Sequence, residues 1–273
     1  MVGEDEEFEK MLGSGTFNEV YLARVKKPKC TCTSLTWGCE RCMFAVKYAK
    51  FQGQLEREAN LHSQISHTNI VKFACYKNGS IYMEPCSSDL SRLVQMCRPD
   101  RKGIGFQKAS KLMKGILSGV MYLHTEMNIA HMDLKVENVL IDNDGRPKLC
   151  DFGGSSIMDE LGNCFPITFS YTSAPPELAG INADMTQSVS GQAVDVWSLG
   201  VMFIYMLTGS YPWERAIEDC PEYDDWLTLP KSKGLSRLLN MRSSYGNYVI
   251  SCMLEESPKS RPTCVQVLEL LMN

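Results

Sequence analysis

The hydrophobic period of this chain changes once, between Glu84 and Ala109, and that change restricts the folds open to it. Up to about residue 84, apolar and polar residues alternate in short runs. Glu19-Val20-Tyr21-Leu22-Ala23-Arg24 and Met43-Phe44-Ala45-Val46-Lys47 are examples, with the period of two that suits antiparallel strands. From Ala109 the spacing becomes three and four, so that Ala109, Leu112, Met113, Ile116, Leu117, Val120 and Leu123 share one face of a helix. Further helices are predicted over 194–208, 235–253 and 262–272, the last with Pro262 at its first helical position. A strand-rich start followed by a larger helical part predicts an α+β fold in two lobes, with a ligand-binding cleft between them.

The 273 residues are 44% hydrophobic, enough for a sizeable core. Their net charge of -4 leaves no basic field to hold nucleic acid. The clusters Arg98-Pro99-Asp100-Arg101-Lys102 and Lys108, Lys111, Lys114 read as solvated faces. The start, Met1-Val2-Gly3-Glu4-Asp5-Glu6-Glu7, is acidic where a signal peptide is basic and then apolar, so an intracellular protein is expected. The longest apolar stretch, 199–207, is short of the ~20 residues a spanning helix needs, so a buried core helix is expected and no membrane association. Twelve cysteines without a secretory signal read as thiols or metal ligands rather than disulfides.

Leu12-Gly13-Ser14-Gly15-Thr16-Phe17-Asn18-Glu19-Val20 is a tight turn between strand-like runs. Its glycines allow backbone N–H groups close to phosphate oxygens, although a Gly-x-Gly turn alone is more often a plain hairpin. Asn18 stands where a third glycine would be, and no strand–turn–helix pattern follows, which argues against a dinucleotide fingerprint. The strand ending at Lys47 would bury a cation that needs an anionic partner. Glu58 shares a helical face with Leu55, Leu61 and Ile65, whereas Glu56 falls with Asn60 and Ser63, so Glu58 is the expected partner.

His131-Met132-Asp133-Leu134-Lys135-Val136-Glu137-Asn138 follows the long helix, and Asp151-Phe152-Gly153 comes thirteen residues after Asn138. Any one of these could be a surface turn with an Asx cap. Together and in this order they supply what phosphoryl transfer needs: a carboxylate to orient a hydroxyl, a cation near the phosphoryl group, and oxygen ligands for Mg2+.

These motifs resemble those of the eukaryotic protein kinase family over nearly the whole chain. The resemblance implies a two-lobed protein kinase fold, with a small β-rich lobe over about 1–84, a hinge at about 84–89 and a mainly helical lobe over about 90–273. It implies ATP and Mg2+ as well. In the family pattern Leu12, Gly13, Gly15, Val20 and Ala45 line the nucleotide site. Lys47 grips the phosphates and pairs with Glu58, while Met83, Glu84 and Cys86 belong to the adenine-binding hinge. Asp133 corresponds to the catalytic base, Lys135 to the lysine that neutralises the phosphoryl group, and Asn138 and Asp151 to the Mg2+ ligands. Lys135 at this position is similar to serine/threonine rather than tyrosine kinases. Ala174-Pro175-Pro176-Glu177-Leu178 resembles the end of an activation segment, and Asp195-Val196-Trp197-Ser198-Leu199-Gly200 the central helix. The resemblance pairs Arg261 with Glu177. Within the family, the nearest similarity is to the checkpoint effector kinase 1 group of the DNA-damage response. It is carried by 61–73, Glu84-Pro85-Cys86-Ser87 and the run from Ala193 to Trp226.

Several positions depart from the pattern. Met132 stands where most kinases carry an arginine that meets a phosphate on the activation segment, and 151–177 contains no lysine or arginine. Activity independent of phosphorylation of this segment is therefore expected, with Thr168 and Ser170 placed for substrate contact. The extra proline before Glu177 leaves the pocket after the phosphoacceptor undefined. Asp89 and Glu137 are either acceptors for a basic residue before the target or solvated carboxylates. Cys30, Cys32, Cys39 and Cys42, in two close pairs, are either a structural Zn2+ site or four free thiols. Cys150 is either buried packing or an accessible thiol.

The expected protein is a monomeric serine/threonine kinase acting on proteins, placed in nucleus and cytoplasm by resemblance and carrying no regulatory tail. The rival readings are a pseudokinase that binds without turnover, to which Asn18 and Met132 point, and a small-molecule kinase of the same fold.

Overall fold

The computed structural model describes residues 6–15, 18–25, 43–51, 53, 55–97, 103–180, 186–228 and 244–272. Cys30, Cys32, Cys39 and Cys42 lie outside the described residues, as does the first part of the predicted helix 235–253.

The alternating start forms strands β1 (Glu6–Ser14), β2 (Asn18–Val25), β3 (Met43–Ala49), β4 (Phe73–Lys77) and β5 (Ser80–Met83). They make an antiparallel sheet in the order β1-β2-β3-β5-β4. The period of two sorts the side chains of the central strand β3. Phe44 and Val46 pack with Ala23 and Tyr82 on one face, which leaves Ala45 and Lys47 on the other. On that second face lies helix α1 (Glu56–His62), whose Ala59 packs with Leu55, Ile81 and Met83.

The helical part begins with β6 (Ser88–Asp89), α2 (Leu90–Cys97) and α3 (Phe106–Thr125). All seven residues of the predicted stripe, from Ala109 to Leu123, are buried on α3. Covering each of the larger ones is worth roughly 1.5–3 kcal/mol. Short strands follow: β7 (Ile129–Ala130), β8 (Val139–Ile141), β9 (Pro147–Leu149), β10 (Ser156–Ile157), β11 (Asn163–Cys164) and, after helix α4 (Pro176–Ala179), β12 (Val189–Ser190). Pairs β7–β10 and β11–β12 frame the stretch after Asp151.

Helix α5 (Gly191–Thr208) is the core of this part, buried at all but two of its positions. Ser190 Oγ accepts from Ala193 N at its start, and Gly209 ends it with φ 82°, a left-handed cap that favours glycine. The apolar stretch 199–207 is thus a core helix, with mean hydropathy 1.2 over 18 residues and 89% of it buried inside the fold. Around it pack α6 (Pro221–Thr228), α7 (Ser244–Met253) and α8 (Cys264–Met272).

One expectation needs correction. The last helix begins at Cys264 rather than Pro262, because Thr263 caps it: Gln266 N donates to Thr263 Oγ1 while Gln266 Oε1 accepts from Thr263 N. Of the two prolines before Glu177, Pro176 opens α4 and the Pro175 carbonyl accepts from Leu178 N.

Candidate active site

Strand β3 and helix α1 bring the predicted ion pair together. Lys47 Nζ lies 2.8 and 2.7 Å from the two Glu58 oxygens and 2.8 Å from Asp151 Oδ1. Glu58 is 4% exposed and faces inward while Glu56 is exposed, as the helical spacing predicts. Burial works against the Lys47 charge, but Asp151 and Glu58 outweigh it and raise its pKa. Burial likewise pushes Asp151 upward, yet Lys47 holds that carboxyl below its ordinary range. The triad therefore places a fixed ammonium and an ionised carboxylate at one point.

The catalytic-loop motif is held by its backbone. Asp195, fully buried on α5, accepts from His131 N and Met132 N at 2.8 and 2.9 Å and from His124 Nε2 at 2.8 Å. Burial lowers the pKa of His124, but the Asp195 hydrogen bond reverses this and raises it to about 10. These bonds hold Met132 at φ 67°, a left-handed conformation uncommon for a side chain of this kind.

Asp133 follows directly. Its Oδ2 accepts from Lys135 Nζ at 2.8 Å and from Asn138 Nδ2 at 3.1 Å, while Oδ1 is buried with no hydrogen-bond partner among the described residues. A buried, unpartnered carboxylate oxygen is costly unless a ligand completes it, and a substrate hydroxyl is such a ligand. Lys135 Nζ also donates to Ser170 Oγ at 2.8 Å, which ties the activation segment to the same point. Asn138 spends its amide nitrogen on Asp133, which leaves the amide oxygen, with Asp151, as hard oxygen donors suited to Mg2+. The donor set fits the implied metal.

The nucleotide side is built from the sheet. Ala45 lies opposite Leu22 and Met83, and Val20 opposite Gly13 and Lys47. Gly15 N donates to Asn18 O at 2.8 Å and closes the turn, with Leu12 exposed beside it. Met83 ends β5, and Cys86 packs with Leu140 and Cys150 against the α1 side of the sheet. The Glu84 carboxylate is taken up at 2.7 Å by Lys148 Nζ and at 2.8 Å by Lys72 N, which fastens the start of the hinge to β9. Burial pushes the Cys86 thiol up to about 12 and the Cys150 thiol well above its ordinary value, so neither is a reactive thiolate.

Four rings continue from β4 to the catalytic loop. His62 lies 5.5 Å from Phe73 and 4.8 Å from Phe152, and Phe152 lies 5.4 Å from His131. Burial lowers the pKa of His62 to about 4, leaving a neutral ring whose Nε2 lies 2.7 Å from Val71 O.

Where a phosphate-binding arginine is absent, packing replaces it. Met132 sits in an apolar cluster with Ala130, Met158, Cys164, Leu178 and Val194. Ser155 Oγ donates to His131 O and Ser156 Oγ to Phe165 O, so both hydroxyls are internal. Gly154 lies so close to the segment before Ser170 that a Cβ there would meet Thr168 O at 2.9 Å. Arg57, on α1 beside Glu58, donates to Ser155 O at 2.8 and 2.6 Å and to Gly153 O at 3.3 Å. At the other end Arg261 holds Glu177 at 2.5 and 2.8 Å, lies 4.9 Å over the Trp197 ring, and donates to the carbonyls of Ala193, Glu255 and Glu256.

Of the two candidate substrate carboxylates, Asp89 is half-buried and caps α2 through Arg92 N, whereas Glu137 is exposed and accepts from Tyr211 OH at 2.8 Å. Arg57, His62, His124, Leu140 and Lys148 were not legible as site residues. Only the buried positions of His62 and His124 on helical faces hinted at them.

A family model described as a protein kinase domain matches residues 7–271. The chain is 30% identical to mitogen-activated protein kinase kinase kinase 3 of Arabidopsis thaliana, over 95% of this chain and 41% of that protein. It is 27% identical to a probable serine/threonine-protein kinase, MARK-B, of Dictyostelium discoideum, over 88% of this chain and 31% of the relative. To the serine/threonine-protein kinase SRK2I of Arabidopsis thaliana it is 33% identical, over 76% of this chain and 55% of the relative. The chain thus spans about a third to a half of the lengths of these relatives. With the Lys47–Glu58–Asp151 triad, the Asp195-held loop and the Arg261–Glu177 pair in one fold, the chain belongs to the protein kinase domain family.

Proposed function

We propose that this protein transfers the γ-phosphoryl group of ATP to serine or threonine hydroxyls of proteins. The observation that carries the reading is Asp133 Oδ1, buried without a hydrogen-bond partner among the described residues and beside Lys135 and Ser170, an acceptor poised for an incoming hydroxyl. Asp133 orients that hydroxyl and takes its proton, and Lys135 neutralises the moving phosphoryl group. Lys47, fixed by Glu58, grips the nucleotide phosphates, while Leu12, Gly13, Gly15, Val20, Ala45 and the hinge residues Met83, Glu84 and Cys86 enclose the base. Mg2+, which Asn138 and Asp151 would hold, screens the phosphate charge when bound. Names such as serine/threonine-protein kinase among the relatives support the hydroxyl acceptor.

The exposed Glu137 carboxylate favours a basic residue ahead of the target. Met132 and the internal Ser155 and Ser156 hydroxyls support activity without phosphate on the activation segment. A checkpoint role in the DNA-damage response rests on the sequence runs quoted above alone, since the relatives named here carry other names. Its test is whether damage to DNA raises the activity of the protein recovered from cells. Residence in nucleus and cytoplasm and a monomeric state are parts of the same proposal. So is structural Zn2+ at Cys30, Cys32, Cys39 and Cys42, which native mass with and without a chelator distinguishes from free thiols.

The deciding experiment is Mg·ATP-dependent phosphate transfer to a Ser/Thr peptide library by the wild type and Asp133→Asn. Transfer that disappears in the variant supports the proposal and gives the substrate motif. A folded wild type that binds ATP and transfers nothing is a pseudokinase.

A further inference from the structure

The activation segment, 151–177, contains no lysine or arginine, so the side-chain cations that meet it come from elsewhere in the fold. Among the described residues, Lys47 is spent on Glu58 and Asp151, Arg57 on the carbonyls of Gly153 and Ser155, Lys135 on Asp133 and Ser170, and Arg261 on Glu177. Arg215 differs. Its Cζ lies 4.8 Å over the Tyr171 ring, and the guanidinium has no hydrogen bond or ion pair among the described residues. Stacking uses the face of the guanidinium and leaves its rim of N–H donors open, the geometry that takes a carboxylate at two points.

Arg215 is exposed, but buried neighbours set its place. It sits in the loop between α5 and α6, where Trp213 and Ala216 on either side are buried. The Trp213 ring lies 5.9 Å from Trp197, 5.1 Å from Tyr223 and 5.8 Å from Trp226. Tyr171 is held too, since its ring meets Phe169 edge-on at 5.3 Å and remains 44% exposed. It directly follows Ser170, whose hydroxyl is bonded to Lys135 beside Asp133. The open rim of Arg215 therefore stands within about five residues of extended peptide from the place of a target hydroxyl. The acids of its own loop do not occupy it. Glu214 and Glu218 make no ion pair with Arg215, and Glu218 and Asp219 line a hollow with Pro176, Gly180 and Glu256 that Arg215 does not reach.

We infer that Arg215, stacked on Tyr171, selects protein substrates with an aspartate or glutamate in the stretch after the target serine or threonine. The inference rests on the kinase reading and deepens it. The exposed Glu137 carboxylate is held by Tyr211 of the same loop, so this one loop fixes a charge of each sign beside the site. A substrate that answers both carries a basic residue ahead of its target and an acidic one behind it. Such a pair orients the peptide as well as binding it, because a reversed chain would set like charges together.

Fluorescence anisotropy of labelled peptides tests this whether or not phosphate is transferred. The two probes carry Lys ahead of a central Ala in place of the target Ser, and they differ after it, one with Asp and the other with Lys. The wild type is expected to bind the Asp peptide about fivefold more tightly at low salt, with Arg215→Ala removing the difference and Arg215→Glu reversing it. Arg215→Lys keeps the charge without the planar fork and should retain only part of the preference. Circular dichroism checks that these exposed substitutions keep the fold. With Ser restored, the same order is expected in kcat/KM for phosphate transfer. Equal binding of the two peptides, no binding of either, or a preference untouched by Arg215→Glu overturns the inference. A preference for the Asp peptide that depends on Arg215, in a wild type that transfers nothing, upholds recognition by Arg215 and overturns the kinase reading instead.

Discussion

The Cys164 thiol donates to Met132 Sδ at 3.7 Å, and this buried sulfur contact ties the catalytic loop to the activation segment with no charged group between them. In a loop built to sense a phosphate, the side chain at this position would be cationic and would wait for its partner. Here the contact is complete without modification.

Met132→Ala should therefore cost about 2–5 kcal/mol in urea unfolding, the range for emptying a buried apolar site. Met132→Arg should be at least as harmful and should not raise activity, because the guanidinium would enter an apolar cluster without a partner. A more active Met132→Arg protein would show that the position still senses phosphate.

Separate alanine variants at Ser155 and Ser156 should each lose roughly 1 kcal/mol of stability, the worth of one internal hydrogen bond. They should stay within about threefold of wild-type activity at a temperature where both are folded, below the tenfold that 1.4 kcal/mol would bring. Ser170→Ala should lower kcat more than either, since Ser170 Oγ engages Lys135 beside Asp133. Steady-state peptide kinetics separate the three.

Lys47→Met removes the cation between two carboxylates. Phosphate transfer should fall by about 100-fold or more. The protein without nucleotide should lose about 3–5 kcal/mol, because Glu58 and Asp151 are left facing one another without their shared ammonium. Thermal melting and peptide transfer measure the two effects independently.

Two histidines give stability a pH dependence on both sides. His124, raised from 6.5 to about 10 in the folded protein, contributes fully below about pH 6.5, and that contribution is lost as pH rises toward 10. His62, lowered from 6.5 to about 4, binds its proton more readily when unfolded, so its effect removes stability as pH falls from 6.5 toward 4. Denaturant unfolding across pH 5 to 9 should be steepened on each side by these groups. His124→Gln should flatten the alkaline limb and His62→Phe the acid one.

Much of this was written in local periodicity. The α3 stripe from Ala109 to Leu123 and the inward turn of Glu58 follow from spacings of three and four, which a helix cannot hide. Asp133, Lys135, Asn138 and Asp151 were legible because their order along the chain matches the chemistry they share. What stayed hidden depends on contacts between distant parts of the chain. Arg57 meets Ser155 across 98 residues and His124 meets Asp195 across 71. The start of α8 was misplaced for a local reason: Pro262 suggested the first helical position, but the reciprocal Thr263–Gln266 cap sets the boundary after it.

Asp195 grips the main chain at residues 131 and 132, not the side chain of Met132. The shape of the catalytic loop is thus insured by one carboxylate on α5, and the residue carried at 132 is free to differ without moving Asp133. Geometry and responsiveness are separable in this loop, which is how a chain of this family can give up the usual arginine and keep Asp133 in place.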